Sequence, residues 1–158
     1  MKTPLTFLLS LTFLFLFSGS VYGDDFQDGM DAHKRKDYKE AFRLFLPLAE
    51  QGNVTAQYNL GHMHEKGKGV PQDYKEAVRL YRLSAEQGDA DAQLKLGVSY
   101  GMGRGVPKDY ALAHMWWNLS GSNGNKDAVY NRDIIEKRMT KQQIEKAQEM
   151  ARNWKSNK

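Results

Sequence analysis

Apolar residues recur at helical spacing through the middle of the chain, and short polar or glycine-containing stretches separate the runs. The runs are Tyr38, Ala41, Leu44, Phe45 and Leu48 after Asp37, and Tyr74, Ala77, Leu80 and Tyr81 after Asp73. This spacing predicts amphipathic helices. The carboxylates of Asp37, Asp73 and Asp109 can accept hydrogen bonds from free amides, so each predicts the start of a helix.

A second helix is predicted after each of these. Gly52 and Gly88 can take the left-handed conformation that ends a helix, and Asn53 or Asp89 can then cap the next one. The second helices carry small residues, Ala56 with Gly61 and Ala92 with Gly97. Such residues let two helix backbones approach closely, so we expect tightly packed helical hairpins.

The whole pattern repeats every 36 residues. The recurring positions are Asp37-Tyr38, Asp73-Tyr74 and Asp109-Tyr110; Ala41, Ala77 and Ala113; Gly52, Gly88 and Gly124; and Ala56, Ala92 and Ala128. A period of this length is typical of stacked helical hairpins. We therefore predict an all-α solenoid of antiparallel hairpins with about eight helices: repeat 1 at 37–72, repeat 2 at 73–108 and a partial repeat 3 at 109–139.

The phrases GKGVPQDYKEA and GRGVPKDYALA, which begin at Gly67 and Gly103, are predicted to connect successive hairpins. Gly67 would end a helix, Gly69 would let the chain reverse, Val70 would fill the seam and Pro71 would stop the helix from continuing. The pair of glycines follows a helix and not a strand, so it lacks the context of a nucleotide-binding fingerprint.

Both ends of the chain look different from the repeats. Lys2, the apolar run Leu5–Phe17 and the small residues before Gly23 predict a signal peptide, 1–23, cleaved after Gly23; an uncleaved anchor is the alternative. Residues 24–36 are expected to form a capping helix with Phe26, Met30 and His33 facing inward. Residues 140–158 are expected to form the other cap, with Thr140 and Gln143 as a capping box and an apolar stripe of Ile144, Ala147, Ala151 and Trp154.

Composition narrows the chemistry. The chain has no cysteine, so neither a disulfide nor a thiol nucleophile is available. Without residues 1–23, 22 basic and 19 acidic residues remain, a net charge of about +3 with both signs mixed along the chain. This excess is too weak for a nucleic-acid binder.

Two long strings carry a family resemblance. DYKEAFRLFLPLAEQGNVTAQYNLGHMHEKGKGVPQDY and DYKEAVRLYRLSAEQGDADAQLKLGVSYGMGRGVPKDY resemble the Sel-one-like repeat family, a branch of the tetratricopeptide-like (TPR-like) α/α superhelices. The resemblance covers about residues 37–130, and the C-terminal stretch is similar to the closing segment of bacterial secreted members. Pro47 departs from the pattern because it lies inside the first predicted helix, where we expect it to bend the helix.

No constellation of residues predicts catalysis, a metal or a cofactor. His62 and His64 are two residues apart and would point to opposite sides of a helix, so they form a poor zinc site. His114 precedes Trp116 and Trp117 and is the one candidate for a general base. The resemblance carries over no catalytic residue.

Variable positions on the first helices are candidates for recognition. Superposing the repeats aligns Lys39 with Lys75 and Arg43 with Arg79, and Arg82 follows one turn later. This basic strip ends in repeat 3 near Met115 and the two tryptophans, which match the family's core Trp-Tyr pair. The strip is either a solvated face neutralised by Glu40, Glu50, Glu76 and Glu86, or a surface that binds an acidic segment of another protein.

These observations predict a monomeric, non-catalytic repeat protein of the bacterial periplasm that binds another protein, and neither nucleic acid nor, after cleavage, a membrane. Its role would be that of an adaptor for an envelope assembly or of an immunity-type inhibitor of a secreted toxin. The alternative is an enzyme that acts on peptidoglycan or a related envelope substrate through His114.

Overall fold

The computed structural model describes residues 18–156, with the side chains of residues 25–155. This part of the chain forms eight α-helices and no strand, which confirms the predicted all-α fold. The helices are α1 (Ser18–Lys34), α2 (Tyr38–Glu50), α3 (Val54–Lys66), α4 (Tyr74–Glu86), α5 (Ala90–Met102), α6 (Tyr110–Ser122), α7 (Lys126–Glu136) and α8 (Lys141–Ser156).

The helices begin where the sequence places polar caps. Carboxylates cap α2, α4, α5 and α6, and amides cap α3 and α7; the capping residues are Asp37, Asp73, Asp89, Asp109, Asn53 and Asn125. Each side chain accepts a hydrogen bond from at least one amide of the first turn, which stabilises the helix start. The predicted starts of five helices, α2 to α6, are therefore confirmed.

The predicted signal segment and the N-terminal cap have different outcomes. The apolar run Leu5–Phe17 lies outside the described residues. Helix α1 begins at Ser18, so it runs across the predicted cleavage point after Gly23 and is longer than the cap helix predicted at 24–36. None of the helices within residues 18–156 is both long and apolar enough to cross a membrane.

The two connectors have the same geometry. Gly67 and Gly103 end α3 and α5 in the left-handed conformation, with φ of 63° and 70°. Two residues later, Gly69 lies against the Tyr38 carbonyl and Gly105 against the Tyr74 carbonyl. A side chain at either position would overlap that backbone, so this contact and the positive φ both require glycine.

A glycine within a helix accepts an aromatic ring at three successive helix pairs. The pairs are Gly29 with Phe45, Gly61 with Tyr81, and Gly97 with Trp117. A Cβ atom on any of these glycines would lie within 3 Å of ring atoms. The sequence predicted that small residues here allow close packing. The structure adds that a ring from the following helix fills the space.

Two buried clusters form the core, and α4 contributes to both. Leu80 packs with side chains of α1, α2 and α3, whereas Tyr81 and Ala85 pack with α5 and α6. At the C-terminal end, Thr140 and Gln143 form the predicted capping box. The structure also buries Ala147 and Ala151 of the predicted stripe on α8. Pro47 lies exposed inside α2, which runs as one helix from Tyr38 to Glu50.

Candidate interaction surface

The basic strip lies on exposed turns of α2 and α4, and its two arginines are paired within their own helices. The Arg43 guanidinium donates to both Glu40 carboxylate oxygens, at 2.8 and 2.6 Å, and Arg79 donates to Glu76 at 2.9 and 2.6 Å. These bonds hold the pKa of each carboxyl below its ordinary value. Solvent-exposed pairs of this kind contribute little to stability. A carboxylate from a partner can therefore compete for the arginines.

The lysines of the strip are free, whereas Arg82 is not. Lys39 and Lys75 are exposed and pair with no carboxylate in the described part of the chain. Arg82 donates to the Tyr100 hydroxyl of α5 at 2.6 Å, so its guanidinium is held by the neighbouring helix. Arg82 remains exposed, and this bond also links α4 to α5.

Met115 was predicted as a partner-binding residue at the apolar end of the strip, but the structure buries it. Its side chain is only 5 % exposed because α8 packs across α6. Trp154 of α8 meets Trp116 edge-on, with ring centroids 5.0 Å apart, and Met115 and Ala151 belong to the same buried cluster. The two tryptophans of α6 are buried in the core, as the family pattern implied.

An apolar groove between α2 and α4 was not predicted. It has a volume of about 310 Å³, with Phe42 and Leu46 on one wall, Leu80 and Leu83 on the other, and Leu60 of α3 beneath. Leu46 and Leu83 are exposed by 39 % and 37 %. Leu46 aligns with Arg82, and Leu83 aligns with Pro47. Comparison of the first two repeats therefore pairs neither leucine with another leucine and gives no sign of the groove.

The α4 residues that line the groove correspond, one repeat later, to α6 residues that α8 covers. Moving 36 residues from Glu76, Arg79, Leu80 and Leu83 leads to Leu112, Met115, Trp116 and Leu119. In α6 these positions are apolar, and the last three are buried in the cluster that α8 completes. The same face of the array is therefore covered by the chain itself at α6 and open at α2 and α4.

His114, the candidate general base, is buried. It is 0 % exposed, and its Nε2 atom lies 2.7 Å from Oε1 of Glu136 in α7. This acid follows His114 by 22 residues and was not identified from the sequence. Arg132 lies 3.9 Å from the same carboxylate oxygen. His114 and Glu136 thus join α6 to α7, and no substrate can reach the imidazole in this arrangement.

The other histidines do not converge on a metal. His64 packs edge-on against Phe42, with ring centroids 5.8 Å apart, and burial lowers the pKa of half-buried His62. No group of three or more histidine, aspartate and glutamate side chains within the described residues is arranged to hold a metal ion.

A polar cluster around Glu65 joins three helices. The Tyr81 hydroxyl of α4 donates to Oε2 of Glu65 at 2.6 Å, and the Lys95 ammonium of α5 lies 3.0 Å from the same oxygen. Lys66 pairs with the other oxygen at 3.0 Å. Burial alone would raise the pKa of Glu65, but the three donors outweigh it and lower that pKa to about 2. The carboxylate is therefore ionised at neutral pH.

Comparison with known proteins places these features in a family. A model of the Sel1 repeat matches residues 26–53, 54–89 and 90–125. The second and third matched units begin at α3 and α5. The repeats derived from the sequence begin just before α2 and α4, so the two divisions of the same periodic chain differ in where each repeat starts. No curated protein matches the chain.

Solved structures support the same assignment. The crystal structure of c5321, a protective antigen of uropathogenic Escherichia coli strains with an SLR (Sel1-like repeat) fold, is 32 % identical with a TM-score of 0.80. A Sel1 repeat protein from Oxalobacter formigenes is 31 % identical with a TM-score of 0.65. These matches cover 84 % and 68 % of this chain, but only 29 % and 44 % of the other chains.

A third solved structure is similar in fold alone. Helicobacter pylori cysteine rich protein B is 23 % identical with a TM-score of 0.56, and the match covers 70 % of this chain and 96 % of that one. Three matched repeats and the solved relatives lead to one assignment. The chain belongs to the Sel1 repeat family, a TPR-like α/α solenoid family whose members generally act as protein-interaction scaffolds.

Proposed function

We propose that this chain is a non-catalytic binding module of the bacterial periplasm, exported by residues 1–23, which recognises another protein through the exposed faces of α2 and α4. Within this class it acts as an adaptor in an envelope assembly or as an immunity-type inhibitor of a secreted toxin. Sel1 repeats generally mediate protein–protein interaction, which supports the class.

One observation carries the proposed surface: the face that α8 covers on α6 remains open on α2 and α4. Free Lys39 and Lys75, weakly paired Arg43 and Arg79, and the apolar groove lie on these two helices. Apolar side chains beside cations suit an acidic segment that also carries apolar anchors, because burial supplies affinity and charge supplies orientation.

The alternative, an envelope enzyme that uses His114, receives less support. A general base must come within hydrogen-bond reach of the proton that it removes. His114 has no exposed surface, and Glu136 occupies its Nε2 side. A turnover of peptidoglycan that is lost on His114→Ala, with the fold retained, would nevertheless overturn the binding proposal.

The experiment uses immobilised residues 24–158 and a periplasmic extract of the source bacterium. We expect one stoichiometric partner, and we expect Arg43→Glu combined with Arg79→Glu to lose it. Lys126→Glu combined with Lys146→Glu makes the same charge change at exposed positions outside the strip and is expected to retain it. Equal loss in both double variants, with circular dichroism unchanged, would rule out the α2 and α4 face. A toxin gene adjacent to the coding sequence would favour the inhibitor role over the adaptor role.

A further inference from the structure

A second cavity lies away from the groove, between α5, α6, α7 and the connector that precedes α6. Its volume is about 450 Å³. Trp117 and Ile135, each 6 % exposed, form its apolar floor, and exposed Met102 lies at its edge. Arg104, Lys108 and Arg138 line its polar side. The cavity therefore combines an apolar surface with three cations.

No carboxylate lines this cavity, and its cations are not neutralised. Arg104, Lys108 and Arg138 form no ion pair with an acid in the part of the chain that the structure describes. Arg104 lies 5.8 Å from the centre of the Tyr74 ring and Lys108 lies 4.6 Å from that of Tyr110, so their neighbours are aromatic rings. Lys108 and Arg138 also lie beside the Tyr110 hydroxyl and lower its pKa. Three cations without an acidic partner around one concavity attract an anion.

The same place one repeat earlier shows which anion fits. The small cleft of about 20 Å³ lined by Glu65, Tyr74, Tyr81 and Lys95 is the counterpart of the large cavity. Moving 36 residues along the chain converts these residues to Gly101, Tyr110, Trp117 and Asn131, all of which line the large cavity. The carboxylate of Glu65 fills the earlier cleft, where Tyr81, Lys66 and Lys95 hold it.

The larger cavity lacks this carboxylate. Gly101 has no side chain, and the Trp117 ring lies next to it, so the cavity extends along this ring where the earlier repeat has a carboxylate. The cations come from other positions: Lys66 and Lys95 correspond to Met102 and Asn131, whereas Arg104, Lys108 and Arg138 line the larger cavity from the connector and from the turn that follows α7. Glu65 and Arg104 both line the small cleft, but Glu65 is held by its own donors and forms no ion pair with Arg104.

We propose that the cavity beside Gly101 binds a carboxylate from outside the chain, attached to an apolar group, as at the C-terminus of a peptide that ends in an apolar residue. The carboxylate meets Arg104, Lys108 and Arg138 on the polar side of the cavity. The apolar group packs on Trp117 and Ile135. This site is separate from the α2 and α4 face and does not depend on the function proposed for it.

The test is a titration of the protein, expressed from the full sequence and isotope-labelled, with small probes at low salt, followed by nuclear magnetic resonance. We expect N-acetyl-leucine to shift the Trp117 indole N–H and the amides of the connector in a saturable way. N-acetyl-leucinamide, which lacks only the charge, is expected to bind at least about tenfold more weakly, the loss of one charge-assisted hydrogen bond. Equal binding of the two would overturn the proposal.

Two further probes separate the sources of the anion. Acetyl-Leu-Glu-amide offers a side-chain carboxylate, and tighter binding of N-acetyl-leucine identifies a peptide C-terminus as the ligand. If the glutamate peptide binds more tightly, the carboxylate chemistry stands and the C-terminal source is wrong. Inorganic phosphate that binds as tightly as N-acetyl-leucine would show an unspecific anion site and would overturn the proposal.

Variants of the chain test the comparison with Glu65 directly. Gly101→Glu restores the internal carboxylate and is expected to abolish N-acetyl-leucine binding. Gly101→Ala adds only the Cβ, which would lie 3.1 Å from the Trp117 ring, and is expected to retain binding after a small shift of that ring. Arg138→Gln is expected to weaken binding at least about tenfold and Lys137→Gln, at the exposed neighbouring position, is not. Unchanged binding in both Gly101→Glu and Arg138→Gln would contradict the proposal.

Discussion

At the scale of single residues, the fold depends on positions where a side chain is missing as much as on positions where one is present. Gly97 shows this most directly, because the indole of Trp117 lies where a Cβ would be. The indole N–H also donates to the Leu94 carbonyl at 3.2 Å, which fixes the ring in place. A helical glycine is therefore tolerated here for the packing that it allows.

Substitution of Gly97 by alanine tests this explanation, because the free energy of unfolding should fall if the Trp117 ring needs the space and rise if it does not. Alanine favours an exposed helix over glycine by about 0.8–1 kcal/mol, so an open site would gain stability. At Gly97 the added methyl group must displace Trp117, and we expect a net loss of about 1–3 kcal/mol. Urea unfolding of the two proteins measures the difference in the free energy of unfolding.

The control for this substitution is a double-mutant cycle. Trp117→Leu removes the ring, so Gly97→Ala in that background is expected to be neutral or stabilising. The same loss in both backgrounds would show that the ring is not the cause.

Single residues also show what the sequence could and could not predict. Capping residues such as Asp37 and Asn53 were predictable because each bonds within its own first turn. The bond from Arg82 to Tyr100 and the contact of His114 with Glu136 were not, because they join different helices. The repeat spacing gives the neighbours within a stack, but not the direction in which a long side chain turns.

At the scale of helices, α8 is the element that the repeat pattern explains least. Its apolar stripe was visible in the sequence, since Ala147 and Ala151 follow helical spacing, but periodicity does not state what the stripe packs against. The structure places α8 on α6, and it packs far less against its chain neighbour α7. Met115 was expected to bind a partner, and it is buried for this reason.

A charge placed on the buried stripe should detach α8. Ala151 is 2 % exposed, and an ionised side chain there would have to leave the core. We expect Ala151→Glu to expose Trp116 and Met115, with a red shift in tryptophan fluorescence, while α1 to α5 keep their amide protection against hydrogen exchange.

The matched control adds the same charge to the same helix at exposed Gln142. Gln142→Glu should leave fluorescence and amide protection unchanged. Uniform loss of protection across all helices in Ala151→Glu would show instead that α8 is required for the whole stack to fold.

At the scale of the whole molecule, polar ties join successive repeats. Gln87 of the second repeat donates to Gln57 of the first at 2.8 Å, and Asn123 of the third donates to Gln93 of the second at 3.1 Å. Glu65 adds a charged contact of the same kind, because its carboxylate binds side chains of α3, α4 and α5. Stability of a stacked array depends on such contacts between neighbours.

The Glu65 tie predicts how stability changes with pH. Its pKa is about 2 in the folded protein against an ordinary value of 4.5, so the unfolded chain binds its proton first. The stabilisation is complete above about pH 5 and is lost as the pH falls towards 2. We therefore expect Glu65→Gln to lower the urea midpoint clearly at pH 7 and much less at about pH 3.

Comparison with Glu149→Gln isolates this effect from the general loss of stability in acid. Glu149 is exposed, so its substitution should change the midpoint little at either pH. A deficit of Glu65→Gln that is as large at low pH as at neutral pH would mean that the charge of Glu65 contributes nothing.

The pairing of each helical glycine with a ring bears on how such an array is copied during evolution. Gly61 and Tyr81 both fall within 54–89, and Gly97 and Trp117 both fall within 90–125. A tandem duplication that begins at α3 and ends before α5 copies the helical glycine together with the ring that packs against it. A duplication that begins at Asp37 and ends before Asp73 would copy Gly61 without Tyr81. The ring of each new copy would then pack against a glycine that had packed against a different ring. The family's repeat boundaries therefore coincide with the segment that can be multiplied without repacking.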